Sequence, residues 1–86
     1  MTRKQQEFAI QKLMEIFDDC TLKGMGQNLG TTETLMRSLY HSWGKRSLTI
    51  AQEKKLYNFI DIKIRELIKL IKRIKKHQLP IEWKTL

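Results

Sequence analysis

The sequence predicts an all-α protein, built as a three-helix unit followed by one long C-terminal helix. Apolar residues recur three and four positions apart through most of the chain, which is the spacing of a helix face. Two Thr-x-x-Gln sequences, at Thr2 and Thr49, have the spacing of capping boxes and mark where helices begin. Between Gly44 and Pro80 the chain contains neither glycine nor proline, so one long helix can form there.

The first helix is expected over about residues 3–17, where apolar residues recur at helical intervals. Phe8, Leu13 and Phe17 are expected to cover the two helices that follow. The polar side chains of this helix are expected to face water; these are Arg3, Lys4, Gln11 and Lys12.

Two short helices and a tight turn are predicted next, over residues 22–29 and from Thr32 onward. Gly30 can adopt the left-handed conformation that ends a helix, and Thr31 or Thr32 can cap the next one. Gly26 lies where a side chain would obstruct the close approach of a second helix. The second short helix has one apolar stripe, predicted to be its packing face: Leu35, Met36, Leu39, Tyr40 and Trp43.

The last helix is predicted over about residues 50–78, which is on the order of 43 Å and too long for a compact core of this size. Its apolar stripe has the rhythm of a coiled-coil seam for two heptads. We expect its N-terminal half to pack on the preceding helices and its C-terminal half, with Trp83 of the short tail, to pack on a second copy of the chain. The dimerisation residues are therefore expected to be Ile60, Ile64, Leu67, Ile71, Ile74 and Trp83.

Three stretches, TLKGMGQNLG, TTETLMRSLY and GKRSL, resemble the phage-repressor-like (lambda-repressor-like) helix-turn-helix family. The resemblance covers roughly half of the chain. It implies that residues 22–29 form the positioning helix and that the next helix enters the major groove of DNA. The residues that it implies for DNA contact are Thr32, Glu33, Thr34, Arg37, Ser38 and His41 on the second helix, and Lys45 and Arg46 on the loop beside the DNA backbone.

The composition points to a polyanionic partner. Seventeen Lys and Arg against nine Asp and Glu give a net charge of +8, which suits nucleic acid, an acidic protein surface or an anionic membrane. A basic strip on the long helix has three interpretations: a solvated face, a contact with DNA phosphates, or attraction to an anionic membrane. The strip consists of Arg65, Lys69, Lys72, Arg73 and Lys76.

No enzymatic or metal chemistry is indicated. His41 and His77 are far apart, and neither has a Cys, Asp or Glu at ligand spacing, so we expect no metal site. The sequence also contains neither a phosphate loop nor a Ser-His-acid or Cys-His constellation, so we expect no enzyme, no cofactor and no small-molecule ligand. Cys20 is the only cysteine, so an intrachain disulfide is impossible and a reducing cytoplasm is the expected location. No apolar run is long enough for a transmembrane helix, and we expect no membrane among the partners.

The sequence thus predicts a homodimeric, sequence-specific regulator that binds double-stranded DNA, most simply a repressor. Residues 1–49 would be the helix-turn-helix unit, and residues 50–86 would be the dimerisation helix and tail. The alternative is a small basic interaction protein, such as an antitoxin or a phage-type inhibitor, that lies on an acidic protein surface.

Overall fold

A computed structural model describes residues 1–77 of the chain. Over these residues the protein consists of four α-helices and no strand: α1 (Arg3–Ile16), α2 (Leu22–Leu29), α3 (Glu33–Tyr40) and α4 (Ile50–His77). The all-α prediction is confirmed, as is the long C-terminal helix. Trp83 and the rest of the predicted tail lie outside the described residues.

Local capping explains where α1 begins and ends. The Thr2 hydroxyl accepts a hydrogen bond from the Gln5 amide at 3.2 Å, and the Gln5 side-chain oxygen accepts one from the Thr2 amide at 2.8 Å. These reciprocal bonds form the predicted capping box. At the other end, Phe17 has extended backbone angles, so α1 ends one residue before the predicted boundary.

The connection between α2 and α3 is a tight turn centred on Gly30, which has φ 72° and ψ 35°. The Thr31 amide closes the turn by donating to the Gly26 carbonyl at 2.8 Å, and the Thr32 hydroxyl caps α3 by accepting from the Leu35 amide at 3.1 Å. A Cβ atom on Gly26 would lie 3.3 Å from the carbonyl oxygens of Thr31 and Thr32. Gly26 therefore allows α2 to approach the backbone of the turn.

The core lies between α1, α2 and α3, and is closed by the segment that enters α4. Leu48 and Leu56 bring this segment and α4 into it. Gln6 is a buried polar residue at the same junction: its side-chain oxygen accepts from the Leu48 amide at 2.8 Å. The buried apolar residues are Ile10, Leu13, Cys20, Met25, Leu29, Leu35, Met36, Leu39, Leu48 and Leu56.

The expectation that Phe8 covers the core is wrong. Its side chain is 61% exposed, whereas Ile10 is fully buried. Residues two positions apart in a helix are separated by about 200° around its axis. Phe8 therefore points away from the core when Ile10 points into it. The inward face of α1 is formed by Gln6, Ile10 and Leu13, with Phe17 partly buried beyond them.

Three further expectations are wrong where α1 meets the end of α3 and the loop after it. Trp43 does not extend the packing face, because α3 ends at Tyr40 and the chain then turns through Ser42, which has φ 59°. Trp43 is consequently 60% exposed. Arg3 does not face water: its guanidinium donates to the carbonyl oxygens of Trp43 and Arg46. Gln11 is likewise engaged, since its amide donates to the Tyr40 carbonyl at 3.0 Å.

Only the N-terminal half of α4 packs on the other helices. Leu56 is fully buried, and Phe59 and Ile60 are partly buried against the core. Lys63 is 8% exposed, and its ammonium lies 2.6 Å from the Asp19 carboxylate. Every residue from 64 to 76 is exposed, and the described chain reaches 51 Å in its longest dimension. We call residues 68–76 the overhang. No helix among the described residues combines the length and apolarity that crossing a membrane requires.

Candidate nucleic-acid interface

Helix α3 has one buried face and one exposed polar face. Leu35, Met36 and Leu39 point inward and are at most 3% exposed. The residues that the family resemblance implies for DNA contact lie on the other side of the helix or in the loop that follows it. Thr32, Glu33, Thr34, Arg37, His41, Lys45 and Arg46 are exposed, and Ser38 is half-buried.

Arg37 lies along this exposed face without being fixed to it. Its guanidinium is 3.4 Å from the Glu33 carboxylate one turn earlier, and the two side chains are 54% and 45% exposed. A surface pair of this kind contributes about 0.3–0.5 kcal/mol, so the guanidinium can leave it for another acceptor. Glu33 also gives this face a negative charge beside the positive one.

Two of the expected contact residues have hydroxyls that are bonded within the protein. The Thr32 hydroxyl caps α3, as described above. The Ser38 hydroxyl donates to the Trp43 carbonyl at 2.5 Å and lies 3.3 Å from the Arg3 guanidinium, which donates to it. Both side chains therefore hold the shape of the face.

The loop that carries Lys45 and Arg46 is held against α1 and α3 by Arg3. The Arg3 Nε donates to the Arg46 carbonyl at 2.9 Å, while a terminal nitrogen donates to the Trp43 carbonyl. Left-handed backbone at Gly44 (φ 66°) turns the chain within this loop. As a result, residues of α3 and residues of the loop line one shallow groove. Its lining residues are Thr34, Leu35 and Ser38 from α3, and Gly44, Lys45 and Arg46 from the loop.

An aromatic cluster lies at the C-terminal end of α3. The rings of His41 and Trp43 are stacked, with centroids 4.4 Å apart and planes at 20°. The Tyr40 ring meets the edge of His41 at 4.9 Å. The apolar spacing of the sequence predicts Trp43 in the packing face of α3, whereas its side chain lies on the surface. The sequence signal for an exposed Trp43 is its position beside Gly44 and the basic residues Lys45 and Arg46, which belong to a loop.

The positive charge is unevenly distributed between the two parts of the chain. Residues 1–49 contain seven Lys and Arg against five Asp and Glu, whereas residues 50–77 contain nine against three. Within α4, the hydrogen bond with Asp19 raises the pKa of Lys63, and the same bond lowers the pKa of the Asp19 carboxyl. Most of the excess charge therefore belongs to α4, outside the α3 face.

The residues expected in a dimer contact fall into two groups. Ile60 is partly buried in the chain's own core. Ile64, Leu67, Ile71 and Ile74 are 37–48% exposed along one side of α4. Trp83 lies outside the described residues.

The described residues contain no group of three or more His, Cys, Asp or Glu that could hold a metal ion. The Cys20 thiol is buried, and desolvation raises its pKa, so the reactive thiolate is disfavoured at neutral pH.

Comparison with known proteins gave no match to any family model, curated sequence or solved structure. The resemblance to the phage-repressor-like family therefore stays a prediction, carried by the residues quoted for it.

Proposed function

We propose that this chain is a sequence-specific double-stranded-DNA-binding regulator in which α2 and α3 form a helix-turn-helix and α3 enters the major groove. The observation that carries the proposal is the continuity between the exposed face of α3 and the basic loop after it. Thr34 and Arg37 project from that face, and Lys45 and Arg46 lie beside it on a loop that Arg3 holds in place. Base-reading and phosphate-binding groups are thus adjacent on one surface.

Each residue has a role that follows from its chemistry. The Arg37 guanidinium can form two parallel hydrogen bonds with the edge of a guanine, exchanging its weak contact with Glu33 for them. Lys45 and Arg46 bind phosphates, because they project from a loop at the end of the helix. Thr32 and Ser38 position the surface through their internal hydrogen bonds. Thr34 and His41 are available for further contacts with bases or sugars.

Recognition of paired half-sites about one helical turn apart would require two copies of the chain. Occupying such a site is sufficient for repression, because the bound protein itself blocks access to that stretch of DNA. Repression is therefore the mode of regulation that we propose.

The second candidate is a basic interaction protein that binds an acidic protein surface. The uneven charge distribution favours it, because nine of the Lys and Arg lie in residues 50–77 and seven in the unit that would read DNA. On this alternative the α3 face has no base-reading task, and α4 is the contact surface. The two candidates differ in whether binding depends on DNA sequence.

The test compares Arg37→Ala with Lys45→Ala on a duplex selected from a random pool and on random duplex. Arg37→Ala should cost about 1–3 kcal/mol of binding free energy on the selected site and relax preference at one base position. It should leave binding to random duplex close to that of the parent chain. Lys45→Ala should weaken binding to both duplexes alike and lower the salt slope by roughly one unit.

Arg65→Ala removes a positive charge outside the α3 face, because Arg65 is 72% exposed on α4. It should weaken binding to both duplexes without changing the preference for any base. If selection enriches no sequence, or if Arg37→Ala and Lys45→Ala change affinity equally on both duplexes, α3 does not read bases and the interaction-protein candidate is favoured.

A further inference from the structure

A long apolar groove runs between α1 and the middle of α4. It has a volume of about 350 Å³, and Phe8 and Ile16 on its α1 side are 61% and 58% exposed. Lys12 contributes its methylene stem, because its ammonium is bonded to Glu15 at 2.9 Å. We call this the α1–α4 groove, and its lining residues are Phe8, Ala9, Lys12, Leu13, Ile16, Phe17, Ile60, Ile64 and Leu67.

The overhang continues the apolar stripe of α4 beyond the point where the core ends. Ile74 lies eighteen residues after Leu56, about five full turns, so the two side chains point in the same direction. Leu56 is fully buried, but Ile74 is 37% exposed and Ile71 is 42% exposed. A helix that only needed to remain solvated there would not require this stripe.

We propose that the overhang of a second copy of the chain lies in the α1–α4 groove, and that the exchange is reciprocal, giving a two-fold symmetric dimer. The dimensions agree: residues 68–76 span about 12–14 Å of helix, as does the stretch of α1 from Phe8 to Phe17. A symmetric pair covers both grooves and both overhangs at once. The proposed interface is formed by apolar and charged surfaces of the described residues, and it is independent of the proposed DNA binding.

The charges of the two surfaces are complementary. At the C-terminal end of α1 the groove passes into a shallower depression that contains Asp18, Asp19 and Glu66 beside Leu70. Even with Lys12 and Lys63 nearby, the four acids Glu15, Asp18, Asp19 and Glu66 leave this rim negative. The overhang is basic and contains no acid; among its cations, Lys72 lies about 100° from Ile71 and so flanks the stripe.

The same charges favour a second copy over a lipid surface. An anionic membrane would attract the overhang but would be repelled by the acidic rim.

The exposed apolar area also has the size of a weak protein interface. The side chains of the groove and overhang give on the order of 600 Å² per copy, or on the order of 1,200 Å² in a pair, near the lower limit for specific complexes.

The experiment measures the dimer dissociation constant by sedimentation equilibrium for the whole chain and three variants. Ile71→Ser changes the overhang, Ile16→Ser changes the groove, and Ile62→Ser is the matched control. Ile62 is 46% exposed, close to the 42% of Ile71, but lies nine residues away on the opposite side of the helix. Far-UV circular dichroism and thermal melting report whether each variant is folded.

The parent chain should be a dimer at micromolar concentration. Ile71→Ser and Ile16→Ser should each raise the dissociation constant more than about tenfold, because a symmetric interface contains each substituted residue twice. Ile62→Ser should leave it unchanged. All three residues are exposed in the single chain, so the folded content should be retained.

Three results would overturn the proposal. A parent chain that stays monomeric at millimolar concentration has no such interface, and its co-sedimentation with phosphatidylglycerol vesicles would assign the stripe to a membrane. A dimer weakened by Ile71→Ser but not by Ile16→Ser pairs through α4 alone, as a coiled coil. Equal weakening by Ile62→Ser would place the contact elsewhere on α4.

Discussion

Replacing Arg3 by Lys tests how the loop after α3 is held in place. The Arg3 guanidinium donates to three close acceptors, the Trp43 carbonyl, the Arg46 carbonyl at 2.9 Å and the Glu7 carboxylate at 2.5 Å, and more distantly to the Ser38 hydroxyl at 3.3 Å. These acceptors lie in different directions around its planar fork. A lysine ammonium keeps the charge, but it is a compact group that cannot reach all three from one position.

The magnitude follows from the bonds that are lost. Lysine should retain one acceptor and lose two, and hydrogen bonds to charged groups contribute about 1.5–3 kcal/mol each when they are shielded from water. The Arg3 side chain is 18% exposed, so we discount the sum for solvent screening. The free energy of unfolding should fall by about 2 kcal/mol in urea titrations followed by far-UV circular dichroism.

The matched control is Arg65→Lys. Arg65 is 72% exposed and pairs with Asp61 at 2.9 Å on the surface of α4, so the same substitution there should change stability by less than about 0.5 kcal/mol. In the DNA assay Arg3→Lys should act like Lys45→Ala and weaken binding to all duplexes, since Lys45 and Arg46 lose their fixed position. An unfolding free energy equal to that of the parent chain would refute the holding role of Arg3.

Two further predictions concern the turn between α2 and α3 and the loss of stability at acid pH. Gly26→Ala should lower the free energy of unfolding by about 1–2 kcal/mol, despite the better helix propensity of alanine, because its Cβ would meet the Thr31 backbone at 3.3 Å; an equally stable variant in urea titrations would contradict the close approach. The bond from Lys63 lowers the pKa of Asp19, so this pair stabilises the fold at neutral pH and its contribution is lost as pH falls below about 4. Asp19→Asn should therefore show a smaller loss of stability between about pH 7 and about pH 3 than the parent chain, and an equal loss would argue against the pair.

The helix boundaries were predictable because they are set by local signals. The capping box at Thr2 and the left-handed turn at Gly30 each involve residues three to five positions apart, so the printed sequence contains all the information needed. The same is true of the exposed face of α3. Its apolar residues repeat at helical spacing, which places Arg37 and Thr34 on the other side.

The wrong predictions concern side chains whose burial or contacts depend on distant parts of the chain. Phe8 and Ile10 are both apolar residues on one helix, and only the position of the other helices decides which of them is buried. The contact between Arg3 and Arg46 joins residues forty-three positions apart, and no local pattern predicts it. The internal bond of Ser38 to Trp43 depends in turn on the course of that loop.

The two proposals are compatible because they use different sides of the overhang. Lys69 and Arg73 each lie two residues from Ile71, about 200° around the helix, so they remain on the outer surface when Ile71 is seated in a partner. Reciprocal exchange would then bring two such basic surfaces into one molecule. The unit that would read DNA carries little net charge of its own, so most of the non-specific attraction to a polyanion should come from α4. Sequence preference and non-specific affinity would thus reside in different helices, and substitutions in α3 and on the outer face of α4 should separate them.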